Sequence, residues 1–175
     1  AHASDGGGSI RVPAACCGLF GLKPSRARVP VGPQIGEAWG GFAATHAITR
    51  SVRDSAALLD VVAGPAPGDP YAAPAQPRPY LAEVDRPPGR LRIALQTTPD
   101  NGAVVDPACR AGAEDAAKLC ADLGHTVEEA APAIDDAAFG DAFLTTVSAH
   151  VAADLAAMEE TLGRPLDEAA VAPLT

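Results

Sequence analysis

The residues best suited to chemistry lie in one run, Ser4-Asp5-Gly6-Gly7-Gly8-Ser9-Ile10-Arg11-Val12-Pro13. Three consecutive glycines before a serine free the backbone from the steric limits on other residues, so successive N–H groups can converge on one anion. If Ser9 is a nucleophile, those donors form an oxyanion hole beside it. Acyl transfer needs that pairing, because the attacking oxygen and the developing oxyanion lie about 3 Å apart. A glycine-rich loop also suits a phosphate. The dinucleotide fingerprint, however, needs glycine at position 11, where Arg11 stands, and Lys23 lies between Leu22 and Pro24 rather than in a phosphate-loop context. A nucleophile loop and an anion cradle both remain open on these residues alone.

Four further residues belong with this run. Asp5 and Arg11 are placed to pair and brace the glycine loop, or to act on substrate. Trp39 is either an aromatic pocket wall or a core residue. His46 lines a pocket or packs in the core, and a Ser9, His46, Asp54 triad would use residues that are all present. The histidines His2, His46, His125 and His150 lack metal-ligand spacing and cysteine neighbours, so neither a metal nor an organic cofactor is expected.

The elements that must position these groups are legible mainly after residue 53. Val52, Ala56, Leu59 and Val62 or Ala63 share one face of a helix that Gly64-Pro65 stops. Residues 64–90 contain eight prolines and read as an extended surface crossing. Leu91 to Leu95 reads as a buried strand. Asp106-Pro107 opens a helix to about Leu123, with Asp at the N-cap and Pro in the first turn, and His125 to Ala130 follows as a short strand. A second helical stretch spans about Ile134 to Leu162, with Gly140 as the candidate break point. Its core stripe runs through Phe139, Phe143, Leu144, Val147, Val151, Leu155, Met158 and Leu162. Leu166 to Thr175 begins a further element. This strand-helix-strand-helix order gives an α/β class.

Composition sets the limits. The 175 residues carry 13 basic and 22 acidic side chains, a net charge of -9, which argues against a nucleic-acid partner. Residues 1–53 hold six basic and two acidic side chains, leaving -13 for the remainder, so the glycine-rich first third is a distinct kind of sequence. Alanine accounts for 39 residues, and Leu, Ile, Val and Phe together for only 36, a thin supply for an independent core. The longest nearly apolar stretch, Val12 to Leu22, is about half the ~20 residues that span a bilayer, so no membrane partner is expected. Cys16, Cys17, Cys109 and Cys120 form no Cys-x-x-Cys pair and read as free, buried thiols in a reducing, cytoplasmic setting. The start at Ala1, directly before a glycine cluster, reads as that of an internal or C-terminal fragment.

Residues 4–70 resemble the amidase signature family, whose nucleophilic serine lies in an Asp-x-Gly-Gly-Ser-Ile-Arg-x-Pro-Ala stretch. The resemblance runs from Ser4 to Ala15, through Cys17-Gly18-Leu19-Phe20-Gly21-Leu22-Lys23-Pro24 and Arg26-Ala27-Arg28-Val29, to Ile48-Thr49-Arg50-Ser51-Val52-Arg53-Asp54. The triple glycine, the Cys16-Cys17 pair and Gly36-Glu37-Ala38-Trp39-Gly40 are most similar to the branch of 6-aminohexanoate-cyclic-dimer hydrolase-like amidases. The resemblance implies an α/β/α sandwich with a mixed central sheet. It also implies that Ser9 forms an acyl-enzyme, with the N–H groups of Gly6, Gly7, Gly8 and Ser9 as the oxyanion hole.

The implied substrate is a small linear or cyclic amide, hydrolysed without a cofactor, with assembly as a homo-oligomer left open. The family's lysine and cis-serine have no matching position here, so both are expected upstream and the fragment alone is expected to be inactive. Three stretches then divide a single fragment of the domain: residues 1–63 with the nucleophile loop and signature, the crossing 64–90, and the strand-helix stretch 91–175. Three alternatives stay open: an inert structural fragment or subunit, an anion-binding module, and the ammonia-releasing subunit of a tRNA-dependent amidotransferase.

Overall fold

The computed structural model describes residues 1–33, 35–99 and 101–167, so most of the element expected from Leu166 to Thr175 lies outside the described residues. The chain divides into two compact units, Ala1–Arg86 and Pro87–Thr175.

In the first unit the strands β1 (His2–Asp5), β2 (Phe20–Gly21) and β3 (Ala44–Thr49) form an antiparallel sheet in the order β1-β3-β2. Their register sets Ala3 opposite His46 and Asp5 opposite Ala44. Side chains alternate across a strand, so Asp5 and His46 share one face of the sheet. Helix α1 (Arg11–Cys16) follows the glycine loop, and α2 (Val52–Val62) follows β3. The α2 N-cap is Ser51, whose side chain accepts from the Asp54 N–H at 3.1 Å. The core of the unit is small: Ile10, Ala14, Ala44, Ala47 and Leu59 are its buried apolar residues among those described. The face of α2 is displaced from expectation. Ser55 and Leu59 are buried, whereas Val52 is exposed, because the Ser55–Leu59 row is the one turned to β3. Within the proline-rich crossing, Tyr80–Glu83 forms a 3₁₀ turn, and the Asp60 carboxylate of α2 accepts from the N–H groups of Tyr80 at 2.6 Å and Leu81 at 3.0 Å.

The second unit is a β-α-β arrangement with a long helix after it. Strands β4 (Arg92–Leu95) and β5 (Thr126–Glu129) pair in parallel, joined by α3 (Pro107–Asp122). Asp106 caps α3 by accepting from the Ala108 N–H at 2.8 Å, and Gly124, with φ +92, follows its end. Helix α4 (Asp136–Leu162) is unbroken through Gly140, which sits inside a run of good helix formers, and it ends on left-handed Gly163.

Three further expectations of burial are corrected. In β4, Ile93 and Leu95 are half-buried and Arg92 and Ala94 exposed, so it is a one-faced rather than a buried strand. Along α4, Phe139, Leu144, Met158 and Leu162 are exposed, and Phe143, Val147, Val151 and Leu155 are half-buried. The apolar period predicted the helix correctly, but its stripe is half-buried at most. The cysteines are free but not buried: Cys16, Cys17 and Cys109 are exposed and Cys120 is half-buried. No helix among the described residues is long and apolar enough to cross a membrane.

The small core makes Leu59 a test of the first unit. Replacing Leu59 with Ala in the full-length protein should cost roughly 2–5 kcal/mol, whereas Val61→Ala, at a position 80 % exposed, should change stability by less than about 0.5 kcal/mol. Urea unfolding of both variants measures the difference.

Candidate functional site

The site is built around the Asp5 carboxylate at the end of β1, which is fully buried. Its Oδ1 accepts from the Gly8 N–H at 2.7 Å and from Arg11 Nη2 at 3.0 Å. Its Oδ2 accepts from Arg11 Nε at 2.9 Å and from the N–H groups of Ile10 at 3.3 Å and Arg11 at 3.4 Å. The Arg11 guanidinium and the surrounding N–H groups outweigh burial and hold this carboxyl well below the usual carboxylate range. Asp5 thus stays ionised and serves as the acceptor for the start of α1, where the N-cap residue Ile10 offers no side-chain acceptor. Arg11 braces the loop, although its own side chain remains largely exposed.

Within this frame the loop turns back on itself. Gly8 has φ +117, and a Cβ there would lie 2.9 Å from Val12 Cγ2. Its carbonyl accepts from the Val12 N–H at 2.7 Å. Ile10 is fully buried, so exposed Ser9 projects between two anchored neighbours. Of the N–H groups assigned to the oxyanion hole, that of Gly8 is already given to Asp5. Those of Gly6, Gly7 and Ser9 donate to no described protein group.

Trp39 approaches the loop from a distant part of the chain. It lies in a 3₁₀ turn, Trp39–Gly41, with φ +51, a left-handed conformation that costs a non-glycine residue about 1–3 kcal/mol unless its surroundings impose it. A Cβ on Gly6 would lie 2.7 Å from Trp39 Cε3, so the indole rests directly against the loop backbone. The turn is held by Arg26 Nε, which donates to the Gly41 carbonyl at 3.1 Å, and by Glu37, which accepts from the Tyr71 hydroxyl. The hydrogen bond from Tyr71 raises the pKa of that phenol. Sequence reasoning singled out Trp39 but not Arg26, Glu37 or Tyr71 as its supports; no spacing rule links them.

His46 is 2 % exposed, and its Nε2 lies 2.8 Å from Ser55 Oγ, while Nδ1 is buried without a partner among the described residues. Burial lowers its pKa, so the ring is held neutral. The Ser9, His46, Asp54 triad is not assembled: the ring nitrogen that has a partner is committed to Ser55, and Asp54 is exposed in the first turn of α2. Ser55 was missed in the sequence; the available signal was one polar residue in the apolar row that ends at Leu59. Lys23 donates to the Pro24 carbonyl at 3.0 Å. No cluster of three or more His, Cys, Asp or Glu side chains suited to a metal occurs among the described residues.

The family described as Amidase matches residues 1–171. The 6-aminohexanoate-cyclic-dimer hydrolase of Pseudomonas sp. (strain NK87) is 42 % identical over 172 residues, covering 96 % of this chain and 35 % of that protein. A putative amidase of Synechocystis sp. (strain ATCC 27184 / PCC 6803 / Kazusa) is 43 % identical over 138 residues, covering 74 % of this chain and 25 % of its own length. Among solved structures, a 6-aminohexanoate cyclic dimer hydrolase complexed with substrate superposes with TM-score 0.86 and 39 % identity, covering 98 % of this chain and 36 % of that one. A bacterial aryl acylamidase of the amidase signature family gives TM-score 0.84 at 25 % identity, again covering 98 % and 36 %. The chain therefore spans about a third of the length of these two solved structures.

The buried carboxylate gives the first site prediction. Asp5→Ala should destabilise the full-length protein by roughly 2–4 kcal/mol, the cost of breaking a buried pair reduced for the solvent access of Arg11. Because the folded pKa is depressed, this stabilisation is present above the unfolded carboxylate range, near about 4. It is lost progressively as pH falls from that range through the lower folded value. Unfolding free energies measured from pH 7 downward should therefore fall less steeply in the Asp5→Asn variant than in the wild type.

Proposed function

The chain belongs to the amidase family, and from that premise we propose that it carries the nucleophile and oxyanion hole of a serine amide hydrolase. The observation that carries this reading is exposed Ser9 on a loop pinned by Asp5, beside the uncommitted N–H groups of Gly6, Gly7 and Ser9. Ser9 Oγ attacks the amide carbonyl carbon, and the oxyanion of the tetrahedral intermediate takes hydrogen bonds from those N–H groups. Collapse breaks the C–N bond, the amine leaves with a proton, and water then releases the acyl group from Ser9. The Gly8 N–H acts at one remove, fixing the loop through Asp5. By the family resemblance, the proton from Ser9 passes through a cis-serine to a neutral lysine, neither of which has a matching position among these residues.

The proposed substrate is a small linear or cyclic amide. A relative of this chain is named a 6-aminohexanoate-cyclic-dimer hydrolase and a structural neighbour an aryl acylamidase, which supports an amide substrate. Activity and substrate are properties of the full-length protein.

The test is the Ser9→Ala variant of the full-length protein. Turnover of simple amides and anilides should fall on the order of 10⁴-fold or more, with urea unfolding unchanged. A fluorophosphonate should phosphonylate Ser9 with loss of HF, adding the mass of the reagent less HF to the peptide containing Ser9. Ordinary turnover by Ser9→Ala, or labelling elsewhere, would overturn the assignment. A second variant examines the loop: Gly6→Ala must push the Trp39 ring away, and kcat should fall by roughly 10²–10³-fold if one oxyanion donor is misplaced.

A further inference from the structure

We infer that Trp39 is a specificity-determining residue of the proposed hydrolase, a rigid aromatic wall that binds the apolar part of the amide beside the oxyanion donors and selects longer acyl groups over acetyl. The inference rests on the acyl-enzyme reading of Ser9 and adds a substrate preference to it.

Three features lead to this assignment. The indole lies against Gly6 so closely that a Cβ on Gly6 would sit 2.7 Å from Cε3 and 2.8 Å from Cζ3. At a tetrahedral Cα the N–H and side-chain directions diverge, so the ring stands beside the Gly6 N–H rather than across it. A carbonyl oxygen held by Gly6 and Gly7 therefore leaves its neighbouring substituent next to the indole.

The ring is also only half-buried, and its Nε1–H donates to no described protein group. The benzo edge of the indole meets the loop at Gly6, and the ring is not enclosed by the described residues. That combination suits methylene or aryl groups adjoining a polar amide.

The third feature is the turn that holds the ring. Trp39, Gly40 and Gly41 have φ of +51, +58 and +79, a run of left-handed residues that a tryptophan joins only when other contacts impose it. The contacts are visible: Arg26 Nε binds the Gly41 carbonyl, and a Cβ on Gly41 would meet Glu37 Oε1 at 2.6 Å and Arg26 Nε at 2.8 Å. Tyr71, from the proline-rich crossing, donates to Glu37. Arg26 and Glu37 thus clasp the turn from one side, and the ring is fixed before substrate arrives. A preset wall discriminates by apolar contact at no cost in ordering the side chain.

The experiment is a chain-length series on the full-length enzyme: p-nitroanilides with acetyl, butyryl, hexanoyl and benzoyl groups. The wild type should favour hexanoyl over acetyl in kcat/KM. Trp39→Ala should reduce that ratio by about tenfold, chiefly by raising KM for the longer acyl groups, and Trp39→Phe should restore most of it. Tyr71→Phe, which removes the hydrogen bond to Glu37 without touching the ring, should reduce the ratio by a smaller factor. If Trp39→Ala slows all four substrates equally, or leaves the ratio unchanged, the residue is structural and the inference is overturned. The same follows if Trp39→Ala fails to fold and neither Trp39→Phe nor Tyr71→Phe shifts the ratio from that of the wild type. A Ser9→Ala enzyme that still turns over the series overturns the acyl-enzyme reading instead, so the two failures are distinguishable.

Discussion

The site depends on one buried carboxylate. Asp5 at the end of β1 receives five hydrogen bonds, three from the backbone N–H groups of Gly8, Ile10 and Arg11 and two from the Arg11 guanidinium. Removing an ionised carboxylate from water is costly, and only a full set of donors with a paired cation offsets that cost. The same set converts a flexible glycine loop into a fixed one. Because those donors come from both sides of Ser9, the serine is anchored at either side while its own hydroxyl stays accessible. With Asp5 absent, the start of α1 would lose its acceptors and the loop its reason to turn.

A second constraint is close approach. Gly6 is needed because the Trp39 indole occupies the space of a side chain there, and Gly8 is needed because its φ of +117 and its contact with Val12 exclude a Cβ. The three glycines thus have different uses. One admits a neighbour, one admits a conformation, and Gly7 sits exposed between them. On the other side, β3 ties the loop-bearing strand to α2 through the 2.8 Å contact of His46 and Ser55. A neutral, buried imidazole performs that task without adding a second charge to a core of a few small apolar residues.

The second unit contributes elements that are well formed and poorly covered. Its helices carry good caps and clean stops, and α4 holds its apolar period through Gly140. Yet Phe139, Leu144 and Met158 are more than half exposed. Local rules are sufficient to make a helix, whereas burial requires a partner at the right distance. The solved relatives matched here are longer, with this chain covering 36 % of their length, and their similarity at TM-score 0.86 shows that the described elements follow that family's fold.

What the sequence determined by itself was whatever a few neighbouring residues fix. The glycine loop before Ser9, the Asp106 cap and Pro107 start of α3, and the Gly64 stop are short-range consequences of backbone sterics and local hydrogen bonding. The pairing of Asp5 with Arg11 was legible for the same reason. The donation of the Gly8 N–H to Asp5 is local in the same way. Tertiary structure alone set Trp39 on Gly6, supported Glu37 with Tyr71, and directed His46 of β3 to Ser55 of α2 rather than to Ser9. These contacts join separate elements, the first two across long stretches of chain. Residue type permits many such partners, and only the path of the intervening backbone selects one.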